Sequence, residues 1–240
     1  MDTPAKTNQT LNQWVRLQAL GIAVSTGLFL ASGALVPFLV WNVLAFSLLA
    51  YWFRKTWRFA LFPGNLPNAI TWVRLLLVLA LIPVSATSEG WELSLVAWIS
   101  LSLDGLDGLA ARRLHQQSVY GEYFDKEADA VFVLTMSLIL FDQDIAGGWV
   151  LGFGLIRYAF LAPEYFLKPI QQKDPRTQYG RIIAGIVMAA MASAPALPPI
   201  VNSFLLPAAG LLLAYSFGRS FAEMIAAGKQ TGPFQSNPPD

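Results

Sequence analysis

The strongest constraint on this chain is a series of apolar stretches close to the length that crosses a membrane. A helix rises about 1.5 Å per residue, so about 20 apolar residues cover about 30 Å of hydrocarbon. Segments near 17–35, 37–53, 68–87, 91–111, 123–141, 147–167, 181–198 and 201–225 reach or approach that length. The expected fold class is all-α, a polytopic transmembrane helix bundle of about eight spans. Composition agrees, because 55% of residues are hydrophobic and only 13% charged, against about 25% charged in a soluble domain. A net charge of +1 gives no overall field that would recruit nucleic acid, so no nucleic-acid partner is expected. The chain contains no Cys, which excludes disulfides, thiolate metal sites and a Cys nucleophile. A metal would have to sit on oxygen or on the single histidine, His115.

Loop charges predict the orientation. Lys6 and Arg16, then Arg54, Lys55 and Arg58, then Arg112, Arg113 and Lys126, then Lys168, Lys173, Arg176 and Arg181, and finally Arg219 and Lys229 fall in alternate connections. The intervening loops around Gly33, Glu89, Asp144 and Pro199 hold no Lys or Arg. Basic loops stay cytoplasmic, so both termini are expected on that side. Reading the start as a secretory signal, with small residues at Ala31 to Gly33, would break this alternation. The organisation expected is a cytoplasmic tail over 1–16, two N-terminal helices over 17–58, six spans over 59–227 and an unstructured tail over 228–240. Met1 to Asn12 is also polar enough to be read as unstructured. Trp14, Trp41, Trp52, Trp57, Trp72, Trp91, Trp98 and Trp149 fall near span ends, where indole rings act as interface anchors.

Chemistry concentrates between Asp104 and Asp129. Asp104 and Asp107 are three residues apart, and Asp125 and Asp129 four, spacings that place each pair on one helix face. The first pair closes one span and the second opens the next, so a helix-turn-helix gathers four carboxylates near the cytoplasmic boundary. Clustered carboxylates repel and are costly to desolvate, and a positive charge has to offset them. Hard divalent cations bind such oxygen ligands, and two ions sharing carboxylates clamp a diphosphate during phosphoryl-type transfer. Gly105 and Gly108 leave room for a phosphate or nucleotide to approach the backbone. Arg112 offers a fork of donors suited to a phosphate oxygen.

These positions read D-x2-D-G-x2-A-R-x8-G-x3-D-x3-D, with Asp104, Asp107, Gly108, Ala111, Arg112, Gly121, Asp125 and Asp129 all at the required intervals. The pattern resembles that of the CDP-alcohol phosphatidyltransferase family. The resemblance implies that Asp104, Asp107 and Asp125 hold the metals, and that Asp129 contacts the second metal and acts as base. It implies a CDP site lined by Gly108 and Arg112, within the motif that Ala111 and Gly121 complete. The run NAITWVR resembles the family's N-x-x-T-x-x-R, placing Asn68, Thr71 and Arg74 near the nucleotide. The implied cofactors are Mg²⁺ or Mn²⁺, two ions. The implied partners are membrane lipid, a CDP-linked lipid donor and a small alcohol acceptor, with a homodimer left open. The implied reaction moves a phosphatidyl-type group to the acceptor hydroxyl and releases CMP. In layout the likeness covers about Pro67 to Ala227, so the two N-terminal helices fall outside it.

Each of these residues also has a plainer reading. The aspartates could be solvated acids paired with Arg112, Arg113 and Lys126. Asn68 and Thr71 could cap a helix, with Arg74 snorkelling to the interface. His115 stands in a polar loop and is assigned no role. Arg157 lies within a span, where a guanidinium is costly, and could pair with Glu164 or contact an anionic acceptor. Lys168, Lys173, Arg176 and Arg181 satisfy the orientation rule, and Arg157, Lys173, Arg176 and Arg181 are the candidate acceptor contacts. Two rival classes are an ion-coupled transporter, which would spread acids through several spans, and a noncatalytic family member.

Overall fold

A computed structural model of the chain describes residues 4–53, 66–114, 119–156 and 178–230. The helices are α1 (Pro4–Ser32), α2 (Val36–Phe53), α3 (Leu66–Thr87), α4 (Gly90–Arg113), α5 (Val119–Asp142), α6 (described over 151–156), α7 (Gln178–Ser193) and α8 (Pro199–Gln230). Short 3₁₀ turns at Gly148–Val150 and Ala194–Ala196 lead into α6 and out of α7. No strand occurs among the described residues.

Helix α1 corrects the expectation of an unstructured start up to Asn12, since it begins at Pro4. Proline suits the first turn of a helix, where its missing N–H has no partner to lose. The Lys and Gln residues that follow are good helix formers despite their polarity. At the other end of α1, Gly33 adopts φ +69°, and its N–H bonds Phe29 O at 2.7 Å. This left-handed cap lets α2 fold straight back along α1. The hairpin is tied internally: Trp14 Nε1 donates to Ala45 O at 2.8 Å, Gln18 Nε2 to Asn42 Oδ1 at 2.9 Å and Trp41 Nε1 to Gln18 Oε1 at 3.1 Å. Trp14 and Trp41 therefore join helix to helix, correcting their reading as interface anchors. Trp52, Trp91, Trp98 and Trp149 are exposed, and Trp98 Nε1 donates to Ser193 Oγ of α7 at 3.2 Å; Trp57 lies outside the described residues.

Helix α3 packs on α4 and α5, and α7 packs on α4, α5 and α8. Helix α5 lies innermost: Phe124, Ala128, Val131, Leu134, Met136, Leu138, Ile139 and Leu140 are all buried. A helix buried nearly all round is held in one rotation by its neighbours. The outer surfaces carry the reverse signature, with Leu20, Ile200, Phe204 and Leu211 each at least 68% exposed. Such a broad apolar exterior suits lipid and not water.

Among the described residues, four helices are long and apolar enough to cross a membrane: Gln13–Ser32, Leu66–Thr87, Tyr179–Ala196 and Pro199–Arg219. Val36–Trp52 is apolar but shorter. The chain is thus an all-helical membrane protein, while a count of eight spans is not established. Helices α4 and α5 carry acidic and basic residues that dilute their apolar character, and most of the expected sixth segment lies outside the described residues.

Candidate metal centre

Three helices converge on one charged point. Asp104 stands on the C-terminal half of α4, Asp125 and Asp129 on the N-terminal half of α5, and Arg74 enters from α3. Counting along each helix, these residues lie about 10–15 Å from the helix ends that face this side, so they meet at one level.

Arg74 is 2% exposed, and its guanidinium sits among the carboxylates. It bonds Asp104 Oδ1 through Nη1, and its Nη2 donates to Asp129 Oδ1 at 2.9 Å and to Asp125 O at 3.2 Å. The same nitrogen makes an ion pair with Asp125 Oδ1 at 3.2 Å. One oxygen from each of Asp104, Asp125 and Asp129 lies within 4.8 Å of the others. Three carboxylates against one guanidinium leave a formal charge of −2. That surplus, its all-oxygen donor set and its partial exposure fit a hard divalent cation.

Several sequence readings meet the geometry here. Asp104, Asp125 and Asp129 are brought together as expected. Asp107 lies on α4, but its side chain and those of Ala111 and Arg112 fall outside the described part. Lys126 pairs with Glu122 at 2.8 Å, one turn along the same helix, which removes it as partner of the aspartates. Asn68 and Thr71 are buried on α3 within two turns of Arg74. Asn68 is the third residue of α3, so it is no N-cap, and Thr71 Oγ1 bonds back to Pro67 O at 3.1 Å. Arg74 turns inward to the acids and does not snorkel. Gly105 stands in open space, with nothing within 4 Å of an added Cβ, so packing does not require glycine there. Gly108 and Gly121 are half-buried on the adjoining turns of α4 and α5. Arg181 is exposed on the first turn of α7. His115, Arg157, Glu164, Lys168, Lys173 and Arg176 lie outside the described residues.

Sequence reasoning missed the floor of the site. A recess beside Arg74, Asp104 and Asp129 is lined by Ser100 and Leu101 of α4, Phe132 of α5 and Met188 of α7. Ser100 is fully buried, and its hydroxyl has no hydrogen-bond partner among the described residues. Ser102, Ser137 and Ser193 instead donate to the carbonyl four residues earlier. The available signal was position, because Ser100 precedes Asp104 by one helical turn on the same face.

Apolar helices of membrane-crossing length, gathered around an acidic centre suited to a divalent cation, define a class of integral membrane protein with a metal-type site between its helices. A family model for CDP-alcohol phosphatidyltransferase matches residues 64–216, more than half of the chain, and the chain belongs to that family. A CDP-diacylglycerol--glycerol-3-phosphate 3-phosphatidyltransferase of Pseudomonas fluorescens is 34% identical over 89 residues, 36% of this chain and 45% of the relative. Candidate cardiolipin synthases of Mycobacterium bovis and Mycobacterium tuberculosis are 31% identical over 100 residues, 41% of this chain and 47% of each relative. The chain therefore spans about half the length of the curated relatives it matches. No solved structure matches it.

Proposed function

We propose that this protein transfers a phosphatidyl-type group from a CDP-linked lipid to the hydroxyl of an alcohol acceptor, releasing CMP, in phospholipid biosynthesis. The observation that carries this reading is the convergence of Asp104, Asp125 and Asp129 within 4.8 Å inside a segment matched by the family model. Asp104, Asp107, Asp125 and Asp129 would hold Mg²⁺ or Mn²⁺, two ions in all, and the bound ions would supply Lewis-acid stabilisation of the diphosphate charge.

The protein's own groups do the rest. Gly108, Ala111, Arg112 and Gly121, with Asn68, Thr71 and Arg74, line the CDP site. The acceptor oxygen attacks the phosphorus that bears the lipid, and the bond from that phosphorus to the CMP oxygen breaks. Asp129, partly exposed beside the recess, takes the hydroxyl proton. Arg74 orients Asp104 and Asp129 through its two amino groups. The acceptor binds toward Arg157, Lys173, Arg176 and Arg181, whose charges suit a phosphorylated alcohol. Glycerol 3-phosphate, named for the Pseudomonas relative, is the first acceptor to try, and inositol, serine and choline follow. On this reading both termini and the aspartates lie on the cytoplasmic side of a bundle of about eight spans, an orientation that the alternation of loop charges supports.

The test is CMP release from CDP-diacylglycerol by purified protein, with each acceptor, in chelator and after adding Mg²⁺ or Mn²⁺. Metal-dependent release with at least one acceptor is expected. Release at full rate in chelator would remove the mechanism, and no release with any acceptor would remove the reaction.

A further inference from the structure

Helices α1 and α2 precede the family-matched segment, yet they touch the site through aromatic rings. Phe46 of α2 is 2% exposed and meets three rings. Trp14 of α1 lies 5.2 Å behind it, while Trp72 of α3 and Phe124 of α5 lie 6.3 and 6.1 Å in front. Trp72 and Phe124 are themselves 4.8 Å apart, so Phe46, Trp72 and Phe124 close a triangle. Phe124 is the residue before Asp125, and Trp72 lies two residues before Arg74. The triangle thus stands at the level where Arg74 of α3 meets Asp125 and Asp129 of α5.

We infer that Phe46 is a positioning residue: through Trp72 and Phe124 the N-terminal hairpin fixes the relative rotation of α3 and α5, and with it the spacing of the carboxylates that receive the metal. The inference rests on the reading of the aspartates as metal ligands. Metal ligation tolerates errors of only about 0.2 Å. A side-chain atom about 5 Å from a helix axis moves by about 1 Å when the helix turns by ~10°. Packed aromatic rings resist such a turn because every direction opens a gap or closes a contact. The hairpin makes a second ring contact with α5, Phe29 on Phe141 at 6.1 Å. Phe141 is one residue from the end of α5, far from the aspartates. That contact holds the same helix with a residue of the same kind at the wrong level to govern the site.

The experiment compares Phe46→Ala and the milder Phe46→Leu with Phe29→Ala and Phe29→Leu in full-length protein in detergent. Melting temperature and the Mn²⁺ dissociation constant, read by electron paramagnetic resonance, are measured for each. Both alanine variants should melt earlier, since each leaves a cavity. Mn²⁺ affinity should fall at least about tenfold in Phe46→Ala, the range seen when outer-shell supports are lost. It should fall about threefold in Phe46→Leu, whose side chain refills part of the space, and stay unchanged in both Phe29 variants. If Phe46→Ala does not fold, the leucine pair decides. Unchanged Mn²⁺ affinity in the Phe46 variants, or an equal loss in the Phe29 variants, overturns the inference. Wild-type CMP release, scored separately, tests the transfer reaction, so a failed reaction is not confused with a failed buttress.

Discussion

Replacing Arg74 with Gln tests whether its guanidinium is what lets three aspartates share so small a volume. Their oxygens lie within 4.8 Å of one another. At an effective dielectric of about 20, each pair of charges then repels by about 3.5 kcal/mol, roughly 10 kcal/mol for the three pairs. The carboxylates of Asp104, Asp125 and Asp129 are 31%, 38% and 36% exposed, so water screens much of this. Relaxation absorbs more, and removing one partner of a buried ion pair costs about 3–5 kcal/mol in practice. For a chain of this size that lowers the melting temperature by on the order of 10 °C. Gln keeps much of the stem and an amide donor, so the loss reports on charge. Added Mn²⁺ should raise the melting temperature of the variant more than that of the wild type, because the ion takes over the neutralisation that Arg74 supplied. The assay is thermal unfolding of detergent-purified protein in chelator and in Mn²⁺. Equal melting in chelator, or a metal-induced rise no larger in the variant, refutes the reasoning.

Asp129→Asn should lower turnover by about 10² or more with CDP-lipid binding largely kept, because an amide cannot accept the proton. Asp104→Asn should instead weaken Mn²⁺ binding and activity together; near-normal turnover in Asp129→Asn would place the base elsewhere. Arg181→Ala, on an exposed turn of α7, should raise the KM of a phosphorylated acceptor severalfold and leave that of the CDP-lipid unchanged. Equal effects on both substrates would return Arg181 to orientation alone. Reporter tags at the two ends of the chain should both read cytoplasmic, and an extracytoplasmic C-terminal tag would overturn the even number of spans.

What could be read in the sequence was whatever depends on neighbours along the chain. The limits of α2, α4 and α5 follow their apolar runs, and the four-residue spacing of Asp125 and Asp129 puts both on the face that meets Asp104. The inward direction of Arg74 was implied only by the likeness to N-x-x-T-x-x-R and not by the residue's own position. Snorkelling and inward pairing are both open to a guanidinium near a helix start, and the choice depends on where α4 and α5 stand. Trp14 shows the same limit, because apolar content cannot distinguish a lipid-facing indole from one between helices. Its N–H finds Ala45 O only once α2 has folded back. The recess escaped notice because Leu101, Phe132 and Met188 carry no mark beyond apolarity, and they become a site only by adjacency.

The amide pairing inside the N-terminal hairpin also bears on the order in which the chain assembles. Gln18 and Asn42 are fully buried, and exposing such groups to hydrocarbon is costly. Gln18 finds its partners in Asn42 and Trp41, and Asn42 Nδ2 donates to Phe38 O at 2.9 Å. All four residues lie in α1 and α2. During synthesis, this pair of helices can therefore satisfy these amide hydrogen bonds in the bilayer as soon as α2 has emerged, with no donor or acceptor needed from a later segment.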